Sequence, residues 1–176
     1  IREISDILDR AGISIVSLAE LGLALDVLED GETFEENAIK KAAAFRDASG
    51  MSALADDSGL CVDALGGAPG VYSARYAGDQ ARDQDNMDLL LRRMAGIQDR
   101  GARFVCVAAL ALTDGRIIAA RGEFEGLIID TPRGKGGFGC SCQSRSRVSP
   151  FRFRMSVTSC ETSRQPLYAP ARQNAT

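Results

Sequence analysis

The sequence contains no histidine. That absence removes imidazole acid–base chemistry, imidazole metal ligation and any serine–histidine triad from the mechanisms open to the chain. Proton transfer and metal binding then fall to carboxylates. Cysteine is sparse as well: five residues, an odd number, without zinc spacing. Cys61 and Cys106 sit in apolar runs and Cys140, Cys142 and Cys160 lie near the end, so they read as reduced thiols of a cytoplasmic protein. No apolar stretch reaches the about 18 residues that a spanning helix needs, and no membrane role is expected. No charged segment followed by an apolar one opens the chain, so a secretory leader is not expected either.

What is present fits one domain. The chain has 176 residues, 45% of them hydrophobic, enough for a core of ordinary size. The net charge of −3 hides an asymmetry: from Lys135 onward there are seven bases and one acid, Glu161. The preceding body is therefore strongly acidic. A basic tail could contact nucleic acid, but without interleaved aromatics no nucleic-acid partner is expected.

Periodicity supplies the elements. Residues 1–10 place Ile1, Ile4, Ile7 and Leu8 on one stripe and predict a helix, ended by Ala11-Gly12. Residues 13–18 predict a strand. Thr33-Phe34-Glu35-Glu36 has the pattern of a capping box and predicts a helix to about residue 48, with Phe34, Ala38, Ala42 and Phe45 inward. Residues 51–55 predict a strand that delivers Asp56 and Asp57 to a sheet edge, with Ser58-Gly59 as the turn. Residues 66–78 predict a loop. Residues 85–95 predict a second amphipathic helix. Two strand-like runs, 104–112 and 116–127, flank Thr113-Asp114-Gly115, a hairpin signal. From residue 140 serines and arginines dominate and no period of 2 or 3.6 persists, so no secondary structure is assigned there.

Three residue groups carry chemistry. Asp56 and Asp57 are adjacent carboxylates, and Glu36 is a third acid; together they could hold Mg²⁺ against phosphate oxygens and activate water. Lys40, Lys41 and Lys135 could supply cations to a polyphosphate. Phe138, in a glycine loop, could stack on a planar base. Each has an ordinary alternative: a solvated turn for Asp56-Asp57, a helix cap for Glu36, a core-capping aromatic for Phe138. Arg75 reads as a structural anchor or a phosphate contact. On an extended segment, adjacent side chains point to opposite faces, so Asp56 and Asp57 cannot do the same job unless a turn rotates one of them.

The run Thr33-Phe34-Glu35-Glu36-Asn37-Ala38-x-x-Lys41-Ala42, then Leu54-Ala55-Asp56-Asp57-Ser58-Gly59-Leu60, then Gly66-Gly67-Ala68-Pro69-Gly70-Val71-Tyr72-Ser73-Ala74-Arg75-Tyr76, closely resembles the inosine triphosphate pyrophosphatase family, also called XTP/dITP diphosphatases. Residues 102–112 and 122–139, ending Gly136-Gly137-Phe138-Gly139, continue the likeness, which covers about residues 1–139. The resemblance implies an α/β fold, an elongated mixed β-sheet flanked by helices, with two lobes around a central nucleotide cleft, usually a homodimer. It implies Mg²⁺-dependent hydrolysis of the non-standard purine nucleoside triphosphates ITP, dITP and XTP to the monophosphate and pyrophosphate. By motif it implies Asp57 as general base and metal-associated acid, Glu36 and Asp56 as its acidic partners, Ser58 and Lys41 as phosphate-side contacts and Phe138 as the base-stacking aromatic. The family's Ser/Thr-Gly-Asn-x-x-Lys phosphate loop, its Tyr/Trp-Asp-Pro after Gly-Phe-Gly and its purine-reading Ser-His-Arg have no counterpart in this sequence. Residues 140–176 have the composition expected of a frame-shifted C-terminal half, and a nucleotide-binding or dimerising remnant is the alternative reading.

Overall fold

In the computed structural model of the protein, residues 12–130 are described, together with the backbone of two strands at 142–143 and 154–160. The expectations for residues 1–10, for Lys135 and Phe138 and for the side chains of the tail lie outside that set.

Helix α1, Phe34–Ser49, starts where the sequence supplies its own cap. Thr33 is extended (φ −129°, ψ 156°) and its side chain accepts the Glu36 N–H, while the Glu36 carboxylate accepts the Thr33 N–H. Gly50, in the left-handed region at φ 67°, closes the helix by donating to the Arg46 carbonyl. Phe34, Ala38 and Ala42 are buried, and Phe45 packs beside them.

The sheet is built on three long strands: β1 (Ala53–Val62), β2 (Gly101–Ala111) and β3 (Ile117–Ile128). They lie in that order, antiparallel, with Thr113-Asp114-Gly115 turning β2 into β3 as the sequence predicts. Two short strands, β4 (Cys142–Gln143) and β5 (Arg154–Cys160), both pair antiparallel with β3. The predicted sheet flanked by helices is thus present, and every strand pair among the described residues is antiparallel.

Strand alternation assigns the two faces. One carries Ala55, Val105, Val107, Ala109, Ala111, Ile117 and Ala119, and α1 buries its apolar stripe there. Alanines on both sides let helix and sheet approach closely. The other face carries Val62, Ala102 and Ile128, which pack with Leu90 and Met94 from helix α2 (Asp83–Arg93) and its C-terminal cap. Arg100 braces this second cluster. Its guanidinium donates to the carbonyls of Met94 (2.7 Å) and Ile128 (3.0 Å) and to Asp130 (2.8 Å).

Two local expectations are corrected. The strand predicted at 13–18 does not form: Ile13 and Val16 are about half exposed, and no described strand pairs with them. An alternating apolar pattern without a partner edge does not make a strand. The turn predicted at Ser58-Gly59 is also absent. Strand β1 continues through both residues in an unbroken ladder from Ala53↔Ala111 to Val62↔Ala102. Gly59 is needed for space instead, since a Cβ there would lie 2.5 Å from the Gly70 carbonyl oxygen and 2.8 Å from the Phe34 ring. No helix among the described residues is long and apolar enough to cross a membrane.

Candidate active site

Because β1 runs straight, Asp56 and Asp57 face opposite ways. Asp57 points under α1 and is 8% exposed; Asp56 is exposed on the other face, where the Ser58 hydroxyl donates to it at 3.2 Å. No turn rotates either one, so the two carboxylates do not converge.

Asp57 sits at the junction of three segments. From α1, Asn37 is fully buried and donates its Nδ2 to Asp57 Oδ2 at 3.1 Å. One turn further along α1, Lys41 Nζ lies 3.4 Å from Asp57 Oδ1 and 2.8 Å from Glu29 Oε1. Glu29 belongs to the irregular segment that leads into α1. The adjacent acid Asp30 pairs with the adjacent lysine Lys40. The same segment is held from two more sides: Asn37 Oδ1 accepts the Gly31 N–H at 2.8 Å, and Arg75 donates to the Glu29 carbonyl at 3.0 Å.

Arg75 reaches Glu29 because its loop is locked to the sheet. The Ser73 hydroxyl accepts the Leu60 N–H (2.9 Å) and donates to the Gly70 carbonyl (2.6 Å), fixing the 3₁₀ turn Gly70–Arg75 against β1. The Arg75 guanidinium lies 5.2 Å from the centroid of the Tyr72 ring. The result is a closed chain of contacts: Arg75 to Glu29, Glu29 to Lys41, Lys41 to Asp57, Asp57 to Asn37, and Asn37 back to Gly31.

The electrostatics favour a cation at the centre. Burial works against the Lys41 charge, but the hydrogen bond to Glu29 and the charge of Asp57 outweigh it, and its pKa is held above the ordinary lysine value. Two carboxylates from different segments therefore converge on one ammonium. Away from the site, burial pushes the Cys61 thiol up, which suits an inert thiol rather than a nucleophile.

The sequence-predicted residues separate accordingly. Lys41 and Asp57 come together. Glu36 does not join them, because its Oε2 accepts the N–H groups of Glu32 (2.7 Å) and Thr33 (3.2 Å) in the capping box. Asp56 and Ser58 are on the opposite sheet face. The expected trio Glu36, Asp56 and Asp57 thus does not assemble, and among the described residues no three acidic or thiol side chains cluster to hold a metal. Two residues that sequence reasoning passed over, Glu29 and Asn37, complete the site instead. The available signal for Glu29 was the adjacent pair Lys40-Lys41 on one helix, two cations that needed two nearby acids.

Comparison with known proteins identifies the family. The family model of the Ham1 family matches residues 1–141. A dITP/XTP pyrophosphatase of Geobacter sulfurreducens is 48% identical over 141 residues, covering 79% of this chain and 71% of that protein. One from Syntrophobacter fumaroxidans is 49% identical over 138 residues, covering 78% of this chain and 60% of that protein. This chain thus spans roughly three-fifths to seven-tenths of such relatives. Among solved structures, the Staphylococcus aureus Ham1 protein superposes with a TM-score of 0.72 at 39% identity, covering 79% of this chain and 73% of that one. A nucleoside-triphosphatase / dITP/XTP pyrophosphatase from Mycobacterium abscessus gives a TM-score of 0.69 at 40% identity, with 78% and 73% covered. The family model takes in well over half of the chain, and the protein belongs to the Ham1 family.

Proposed function

We propose that this protein hydrolyses non-standard purine nucleoside triphosphates such as dITP and XTP to the monophosphate and pyrophosphate, which clears deaminated purines from the nucleotide pool. The observation that carries the reading is the convergence of the Asp57 and Glu29 carboxylates on Lys41, in a chain whose relatives are named for this activity. Phosphoanhydride hydrolysis asks for a base, for positive charge on the polyphosphate and for a rigid frame, and this cluster supplies all three.

Asp57 Oδ1 is the proton acceptor for the attacking water: Oδ2 is engaged by Asn37 at 3.1 Å, and Oδ1 has only the longer 3.4 Å approach of Lys41 Nζ. The Lys41 ammonium neutralises phosphate oxygens. Arg75, through the Glu29 carbonyl, fixes the segment that bears Glu29. The donor set also fits Mg²⁺, which is commonly held by one or two carboxylates with waters and substrate phosphates completing its shell. Glu29 and Asp57 would hold it; bound there, it would supply charge neutralisation on the phosphates. Glu36 and Asp56 are spent elsewhere. The stacking role of Phe138 and the homodimer belong to the same proposal and rest on the family resemblance; the cytoplasmic location belongs to it too and rests on the sparse, unpatterned cysteines.

The test is product identity. The purified protein is incubated with dITP and Mg²⁺ and the products are separated by ion-exchange chromatography. dIMP with pyrophosphate supports the reading. dIDP with phosphate would make the protein a phosphatase of another kind, and nucleotide binding without products would leave it a binding remnant.

A further inference from the structure

Asn37 is the most deeply placed polar side chain of the site, with no exposed surface. A buried amide is costly unless its hydrogen bonds are made. Asn37 makes them in two directions. Its Nδ2 donates to Asp57 Oδ2 at 3.1 Å, and its Oδ1 accepts the Gly31 N–H at 2.8 Å. The second contact exists because residue 31 is glycine: a Cβ there would lie 2.6 Å from Asn37 Oδ1 and 2.9 Å from the Glu36 Cβ. The helix, the strand and the segment carrying Glu29 therefore meet on one amide.

We infer that Asn37 is a positioning residue of this site, selecting Asp57 Oδ1 as the working oxygen and fixing the Glu29–Gly31 segment relative to it through one buried amide. The inference rests on the proposed role of Asp57. A carboxylate has two equivalent oxygens and a rotatable bond. Held at Oδ2 by Asn37, it presents Oδ1 toward Lys41 and loses its freedom to turn. The Oδ1 of the same amide sets the approach of Gly31, two residues from Glu29, so the backbone that carries Glu29 is placed relative to Asp57 by one rigid group. Neither Lys41 nor Arg75 can do this alone, because their side chains are long and have many rotamers.

Three variants separate positioning from bulk stability. Asn37→Asp keeps the acceptor for Gly31 and replaces the donor to Asp57 with a repelling oxygen. Gly31→Ala keeps every site side chain and pushes on Asn37 from the far side. Asp57→Asn is the control. In pyrophosphate release from dITP, Asn37→Asp and Gly31→Ala are expected to lower kcat by about 10²-fold, the loss typical of small misplacement, with KM little changed. Backbone amide exchange should show Gly31 still protected in Asn37→Asp. Wild-type kcat in Asn37→Asp, with Gly31 protected, would overturn the inference. So would losses that appear only as a lower Tm.

A measurement on the unaltered protein covers the case in which the variants fail to fold. The Asn37 Nδ2 protons are followed by NMR, and one of them is expected to exchange slowly. Two fast-exchanging protons would overturn the inference. Full activity in Asp57→Asn together with a slowly exchanging Asn37 proton would instead sink the catalytic role of Asp57 while leaving the structural bond intact.

Discussion

Asp56 and Asp57 are consecutive in the chain and lie on opposite faces of β1, Asp57 buried beneath α1 and Asp56 exposed on the far side. Their substitutions should therefore be unequal. Asp57→Asn removes the proposed base and is expected to lower kcat by about 10²–10⁴-fold, whereas Asp56→Asn should leave it within an order of magnitude. Steady-state pyrophosphate release from dITP checks both. Equal losses would mean that the two acids act together and that β1 is not straight when substrate is bound.

Lys41 is the shared cation of Glu29 and Asp57, with a side chain only 15% exposed. Lys41→Met leaves two carboxylates facing each other and is expected to cost about 2 kcal/mol, between the ranges for exposed and for buried ion pairs. Urea denaturation at neutral pH measures it. The sign of the pH dependence follows from the raised pKa. The Lys41 contribution is fully present below its ordinary value of 10.5 and is lost as pH climbs through the higher folded value. The unaltered protein should lose stability across that alkaline window, and Lys41→Met should lose less.

Glu36 distinguishes a helix cap from a metal ligand. Its carboxylate accepts two backbone N–H groups ahead of α1. Glu36→Gln retains an acceptor oxygen and should keep near-normal kcat, while Glu36→Ala should lower stability by about 0.5–2 kcal/mol through loss of the cap. Thermal denaturation and turnover, measured on both variants, provide the check. Loss of activity in Glu36→Gln with an unchanged Tm would return Glu36 to the metal site.

Gly59 is a packing requirement. A methyl group there would meet the Gly70 carbonyl oxygen at 2.5 Å, the Ser73 hydroxyl at 2.6 Å and the Phe34 ring at 2.8 Å. Gly59→Ala is expected to destabilise the protein by about 1–3 kcal/mol, the usual cost of overpacking. It should also weaken activity, because the displaced loop carries Arg75 away from Glu29. Equilibrium unfolding with a parallel activity assay decides it.

Local rules carried the regular elements. The capping box at Thr33 and Glu36, the apolar stripe of α1 and the Asp114-Gly115 hairpin appear in the structure where the sequence puts them. These are short-range signals, each decided by residues within one or two turns. The site was harder to read because its members are far apart in sequence. Asp57 and Lys41 stood out by motif. Glu29 was given no role from sequence, since its partner lies on the next helix and its carbonyl is held by Arg75, 46 residues on. Asn37 looked like an ordinary helix residue, since its role depends on the depth at which α1 meets β1. The Asp56-Asp57 pair depended on the turn expected at Ser58-Gly59: strand alternation sends neighbours to opposite faces, and β1 runs straight through both residues, so nothing rotates one acid toward the other. The strand expected at 13–18 failed because β pairing needs a partner that the pattern itself cannot name.

The most direct measurement is the turnover of dITP, XTP and dGTP by the purified protein with Mg²⁺, each against Asp57→Asn. Pyrophosphate release from dITP and XTP well above that from dGTP, abolished in Asp57→Asn, is the expected result. Turnover of the three nucleotides at equal rates, or turnover that survives in Asp57→Asn, would contradict the assignment of this site.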